Sequence, residues 1–445
     1  MDFQEFKTAV LARCGELGVT EYELYYQAAE SVSCEAFQHE ISGFKSASEG
    51  GVCLRCVWSG RMGYASTEEL TAAEARALVD RAVDNASVLE SDDPVLLAEG
   101  GQTYGTVTPS DCAMPETDVL VARVLQVQEQ LYASSEAVVD GCQTEAIAER
   151  SKVAICNSRG LDLSHETTLS ALVAVSVVSD GKEMANEFSV KLGNLDKIDS
   201  EALVKKTTED ALRKLGGGPA PTGKYPVLFA PDAMSDLLAT FCAIFSSENA
   251  QKGLSKLGGK EGSAIASPIV TLVDDPFYPG SPLQSPFDAE GSPTCRKNVI
   301  EKGEFKTLLY NLKTAALAGK QTTGNASKAG YDAPVAVRPF TMYLEPGTVS
   351  REELIAGTPK GVLINSLGGL HAGANPISGD FSLQSAGFLI ENGQLTESVK
   401  SFTVAGNFYE LLMNITALAS DLETPGMGSF GSPTVRVDGL TIAGK

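Results

Sequence analysis

Apolar residues recur at Phe3, Phe6, Val10, Cys14 and Leu17, the spacing of one helix face, so the chain is expected to open with an amphipathic helix. Five short strand-like runs follow, EYELYYQ, SVSCEAFQ, GFKSAS, GVCLRCVW and RMGYAS, joined by tight turns such as the Ser-Gly before Arg61. TAAEARALVDRAVDNASV then returns to helical spacing, with Thr71 as its cap. Residues from about Asp92 to Pro115 are polar and carry Gly and Pro, which predicts a loop. A second helix, ETDVLVARVLQVQEQLYAS, comes next. From Ala137 to Leu192 the pattern alternates as in strands, with turns at NSRG and SDGK. The helical run SEALVKKTTEDALRKL ends at GGGPAPTG, Gly216 to Gly223.

Beyond that run, YPVLFAP reads as a strand and AMSDLLATFCAIFSSENAQKG as one helix. The remainder is strand-rich with long Gly/Pro connections. Three segments, NVIEKGEF, FLIENGQL and VRVDGLTI, place an acid or amide and a glycine between apolar runs. Each is expected to be a hairpin tip, with Glu301, Glu391 and Asp438 as solvated turn residues. The fold class is therefore α+β. It comprises an amino-terminal α/β domain of helices and short strands (1–215), a linker (216–224), and a mainly antiparallel β domain (225–445). A chain of 445 residues is too long for one compact core, which agrees with two domains.

Composition narrows the function. Apolar residues at 43% and charged ones at 21% describe an ordinary globular protein. No apolar run reaches the ~18 residues of a membrane span, and acids rather than basic residues occupy the first turn, so a cytoplasmic protein is expected. The net charge of −22 repels phosphate backbones and anionic lipid, which argues against nucleic-acid and membrane partners. Nine cysteines, an odd number spread along the chain, suit reduced thiols. Cys53 and Cys56 form a CxxC, but three positions apart on a strand places them on opposite faces, where they cannot share a metal.

Several familiar chemistries lack their residues in this chain. The dipeptide His-Glu occurs at His39-Glu40 and at His165-Glu166, both in strand-like surroundings, and the second histidine of a zinc helix is missing each time. No GxSxG elbow exists. GMGSFG, Gly426 to Gly431, fits GxGxxG but precedes a strand, and GGKEG around Lys260 lacks the rest of a phosphate loop. The stretch HAGANPISGDFSL, His371 to Leu383, remains. It is either a glycine-rich loop whose Asp380 bonds turn amides, or a loop where glycines let a peptide backbone approach closely.

The second half resembles the TldD/PmbA family, specifically its PmbA branch, also called TldE. The resemblance is carried by SENAQKG (247–253), FDAEGSPTCRKNVIEKGEFKTLLYNLKTA (287–315), TTGNAS (322–327), GLHAGANPISGDFSLQSAGFLIENG (369–393), TVAGNFYELLMNITALASDLE (403–423) and GSPTVRVDGLTIAG (431–444). The looser order of elements before Tyr225 fits as well. The family implies an α/β amino-terminal domain and a barrel-like carboxy-terminal one. Its TldD branch carries HExxxH on the helix after the first strand of the second domain, plus a late cysteine ligand. The Lys252-Gly253 register puts that motif near Ala239 to Ile244, where no histidine stands, and TPGMGSFGSP has no cysteine.

The resemblance thus implies a cytoplasmic zinc metallopeptidase complex acting on unfolded or extended peptides. In it this chain is a non-catalytic subunit with no cofactor of its own, and zinc lies in a TldD-type partner. The resemblance implies no catalytic and no metal-binding residue in this chain. His371, Asn375 and Asp380 are the candidates for lining the peptide groove. Two other readings stay open: a stand-alone peptidase with a non-zinc mechanism centred on His371, and a homodimeric regulatory or structural protein. The family also carries the label modulator of DNA gyrase, for which this acidic sequence offers no support.

Overall fold

The computed structural model describes residues 1–91, 93–424 and 428–445. Helix α1 (Phe3–Leu17) is started by a capping box in which Asp2 accepts from the Glu5 amide. The five short runs foreseen next fuse into three strands, β1 (Tyr22–Phe37), β2 (Glu40–Trp58) and β3 (Arg61–Thr67). The weakly apolar residues between those runs, Ala28 to Glu30 and Glu49 to Gly50, lie within the β1–β2 ladder. Cross-strand hydrogen bonding thus carries the ladder through positions with little apolar signal. Helix α2 (Ala72–Val88) begins where Thr71 accepts from Glu74, as foreseen. After α3 (Thr117–Ala133) come β4 (Gln143–Asn157), β5 (Asp162–Ser179), β6 (Met184–Leu192) and α4 (Ser200–Arg213).

These strands form one antiparallel sheet in the order β3-β2-β1-β4-β5-β6. Its register divides the side chains by parity. Leu24, Val52, Leu54 and Cys56 pack beneath α1 and α2, while Cys34, Ala36, Ala146, Leu172 and Ala174 pack beneath α3 and α4. The opposite face carries Tyr25, Cys53 and Ile155, which with Leu161 of the β4–β5 turn pack against Phe287 of the second half. Cys53 and Cys56 therefore belong to different cores, as their spacing required.

The second half opens with β7 (Gly223–Phe229) and α5 (Pro231–Phe241). The expected single helix over 233–253 is broken: a 3-10 turn occupies Cys242–Phe245 and α6 resumes at Ser247–Gln251. Backbone pairing causes the break, since Leu309 donates to Phe245 O and Ser247 donates to Leu309 O. Short elements follow: β8 (Leu272–Asp274), β9 (Lys297–Glu301), β10 (Glu304–Phe305), α7 (Leu312–Leu317), β11 (Ala326–Ser327), β12 (Ala336–Val337), β13 (Met342–Leu344) and α8 (Arg351–Ala356). Then come β14 (Lys360–Gly368), α9 (Leu370–Gly373), β15 (Asp380–Glu391), β16 (Gln394–Asn407), α10 (Phe408–Met413), β17 (Ile415–Leu418), β18 (Phe430–Gly431) and β19 (Val435–Ala443).

Strands β16-β15-β14-β7-β19 close into a five-stranded barrel through the β16–β19 pairing. All its pairs are antiparallel except β7 with β14. Val227, Phe229, Val362 and Ile364 pack with α5, whose Phe241 stacks on Phe408 at 4.5 Å. Lys302-Gly303 and Asn392-Gly393 adopt positive φ at two of the foreseen hairpin tips. VRVDGLTI is not a hairpin. Both its apolar runs pair with β7, so Asp438 and Gly439 (φ +86°) form an irregularity inside β19.

The halves are stitched together. Arg55 of β2 is clasped by Glu23 at 2.6 Å and by Glu290 of the second half at 3.2 Å, all buried. The segment between α2 and α3 is irregular as expected, Asp92 lying outside the described residues, and it crosses between the halves. Asn157 donates to Ala98 O, and Tyr104 donates to Gly291 O. Within 216–224, Ala220 is fully buried and Thr222 donates to Lys445 O. Among the described residues no helix is long and apolar enough to cross a membrane.

Candidate functional site

The stretch singled out in the sequence folds into a lobe between β14 and β15. Gly369, at φ +74°, opens the single turn of α9. A Cβ on Gly373 would stand 2.4 Å from Ser382 O, so this glycine lets two backbones meet. Asn375 then closes the lobe. Its side-chain oxygen accepts from the amides of Ile377 and Ser378, its own amide donates to Asp380 O, and its carbonyl accepts from Gly379.

Three residues outside the lobe hold it in place. Lys256 Nζ donates to Ser378 O at 2.6 Å and lies 5.1 Å over the Tyr409 ring. Asn407 donates from Nδ2 to Ser378 O at 2.9 Å and to Asp380 Oδ1 at 2.8 Å, while its oxygen caps α10 through Tyr409 N. The Asn407 bond, then one from Ser378, holds the exposed Asp380 carboxyl below its ordinary range. The lobe borders a groove of about 680 Å³ whose walls include Ala372, Ala374, Asn375, Ile377, Asp380 and Phe381.

The three candidates thus lie in one region with different surroundings. Asn375 and Asp380 both line the groove, Asn375 with its oxygen committed to turn amides. His371 is exposed on α9, and its imidazole makes no hydrogen bond among the described residues, so no neighbour orients it as a base. Glu391 is the exposed end of the β15–β16 hairpin. The holding residues escaped sequence reasoning, although Asn407 had a readable signal as a cap residue directly before the apolar turn FYELLM.

The helix foreseen to matter for metal chemistry, α5, holds a different set of groups. Asp232 and Asp236 stand one turn apart on it. Burial, then the neighbouring Asp232 charge, pushes the Asp236 carboxyl up to about 6. Burial likewise raises Asp232, 3.9 Å from Lys206 of α4. Ala239 to Ile244 spans the end of α5 and the 3-10 turn, and its Cys242 thiol is pushed up to about 11 by burial. Of the histidines, His39 stacks on Tyr132 in the β1–β2 turn, and His165 on β5 bonds Gln284 O at 2.9 Å. No three His, Cys, Asp or Glu side chains converge as a metal site among the described residues. In GMGSFG, Gly426 and Met427 lie outside the described residues, Phe430 and Gly431 form β18, and β19 follows.

Comparison with known proteins adds relatives across most of the chain. Residues 22–86 match the family model for PmbA/TldA metallopeptidase domain 1, residues 111–215 that for the central domain, and residues 222–444 that for the C-terminal domain. A metalloprotease of Methanothermobacter thermautotrophicus is 29% identical over 426 residues, covering 91% of each chain. Among solved structures, a candidate modulator of a DNA gyrase from Thermotoga maritima superposes with a TM-score of 0.91 at 30% identity, covering 99% of this chain and all of the other. TldE from Thermococcus kodakarensis superposes with a TM-score of 0.88 at 25% identity, covering 98% of this chain and 99% of the other.

Proposed function

This chain belongs to the PmbA/TldD metallopeptidase family, and from that premise we propose that it is a TldE-type subunit that shapes a peptide chamber without performing the hydrolysis. The observation that carries this reading is the donor set on α5. A hydrolytic zinc needs three protein ligands, drawn from neutral imidazole, thiolate or carboxylate, converging with an open position. Around α5 stand two carboxyls that burial biases toward protonation, a high-pKa thiol and no imidazole. These residues do not fit zinc, and no step through a metal is assigned to this chain.

In this reading zinc belongs to a TldD-type partner, and the cytoplasmic complex acts on unfolded or extended peptides. The groove beside residues 372–382 forms part of the chamber wall, with Asn375 keeping the lobe rigid, Asp380 facing the substrate, and His371 at the rim. The similarity to TldE supports the branch assignment. The exposed, unoriented His371 favours this reading over a stand-alone mechanism built on that residue.

The test is to purify the chain alone and with a zinc-bearing TldD-type homologue, then to measure bound metal and cleavage of unstructured peptides. Chelator-sensitive cleavage is expected from the pair, with neither cleavage nor stoichiometric zinc in the single chain. Robust chelator-sensitive activity from this chain by itself would defeat the proposal.

A further inference from the structure

Resting on that peptide-handling role, we propose that the groove at residues 372–382 prefers segments in which a lysine or arginine neighbours an apolar side chain, with Asp380 reading the cation. The groove wall supplies the apolar half. Ala372, Ala374, Ile377 and Phe381 line it, and Ile377 is 48% exposed, a large hydrophobic residue left uncovered on a loop. The groove, about 680 Å³ and open to solvent, lets a leucine or phenylalanine side chain lie against this wall.

The charged half is Asp380. It is exposed, and among the described residues it makes no ion pair. Asn407 donates to Oδ1 and Ser378 adds a hydrogen bond, two neutral donors that leave the carboxylate its charge at the groove wall. Lys256, the nearby cation, is committed elsewhere, to Ser378 O and the Tyr409 face. Its charge acts on Asp380 at a distance, as the last of the causes that lower the carboxyl, and forms no ion pair with it. Because Asn375, Lys256 and Asn407 fix the lobe beforehand, an arriving ligand orders little of the protein. The chain's net charge of −22 acts in the same direction, drawing cationic segments in and repelling acidic ones.

The experiment uses fluorescein-labelled heptapeptides that differ only at one residue beside a leucine: Lys, Gln or Glu. Binding is followed by anisotropy at low salt, with the full-length chain and with its complex with the zinc-bearing homologue. The Lys peptide should bind about two- to fivefold more tightly than the Gln peptide, the range of an exposed ion pair, and the Glu peptide most weakly. Asp380→Asn should erase the Lys-over-Gln gap while leaving the leucine-dependent part of binding. Ala374→Trp, which fills the groove, should weaken all three peptides.

A full Lys-over-Gln gap in Asp380→Asn, or unchanged binding in a folded Ala374→Trp protein, overturns the inference. Its failure is separable from that of the proposed function. A complex that cleaves peptides with no cation preference removes only the specificity. A preserved Asp380-dependent preference with no partner-dependent cleavage removes only the subunit role.

Discussion

Asp236 and Asp380 belong to the same half of the molecule and are pushed in opposite directions by their surroundings. Asp380, in solvent, accepts a hydrogen bond from Asn407 and is held below the ordinary range. Asp236, partly buried beside Asp232, is raised to about 6. The folded state therefore holds the Asp236 proton more tightly than the unfolded chain, whose aspartates titrate near ~3.9. The contribution of Asp236 to stability therefore falls as pH rises from that value to about 6, then levels off. Asp236→Asn should remove that part of the pH dependence. It should also stabilise the protein at neutral pH by about 1 kcal/mol, after discounting for the solvent that still reaches the group. Urea titrations in mild acid and at neutrality check both. Asn407 makes a complementary case, since one side chain caps α10, braces the lobe and sets the Asp380 proton affinity. Asn407→Ala should cost about 1–2 kcal/mol of stability, and NMR titration should show the Asp380 carboxyl moving up toward its ordinary range.

At the level of elements, two glycines forecast opposite outcomes. Gly387, in β15, would place a Cβ 1.8 Å from Leu363 O, so Gly387→Ala must push β15 away from β14 and open the barrel wall. A loss of about 3 kcal/mol or more is expected in thermal or urea unfolding. Gly218 has no atom within 4 Å of such a Cβ and no positive φ, so Gly218→Ala should be neutral or slightly stabilising.

Elements with strong local signals were legible in the sequence: the capped helix after Thr71, the hairpins at Asn157 and Asp180, and two of the three acid-glycine tips. Long-range backbone pairing was not. The Phe245–Leu309 and Leu309–Ser247 bonds that break the long helix involve a segment far along the chain, while Phe241, Ile244 and Phe245 keep an unbroken helical spacing. The length of β1 and β2 was hidden for the same reason, because their middles carry little apolar signal. The site was half legible: its glycines and acid stood out, whereas Lys256 and Asn407 reach it from distant segments.

For the whole molecule, the Glu23–Arg55–Glu290 cluster is a buried charged tie between the halves, beside the apolar packing on Phe287. Glu23 and Arg55 face each other across β1 and β2, and Glu290 also accepts from Leu312 N. Arg55→Met would take from two buried carboxylates the guanidinium that pairs them, leaving only the more distant Lys328 charge near Glu23, and should cost about 3–5 kcal/mol. Combining it with Glu23→Leu and Glu290→Gln should recover most of that loss. An apolar contact of similar volume then replaces the ions, and the introduced amide keeps an acceptor for the Leu312 N–H. Urea midpoints of the single and triple variants test this.

The central place of β1 also bears on how the protein is made. Its near side pairs with β2, the next strand in the chain, but its far side pairs with β4, beginning only at Gln143. During synthesis a sixteen-residue edge therefore stays open while α2, the crossing segment and α3 emerge. Unpaired N–H and C=O groups of that length invite other chains, so refolding yield should drop as concentration rises, and this ladder should close late and slowly.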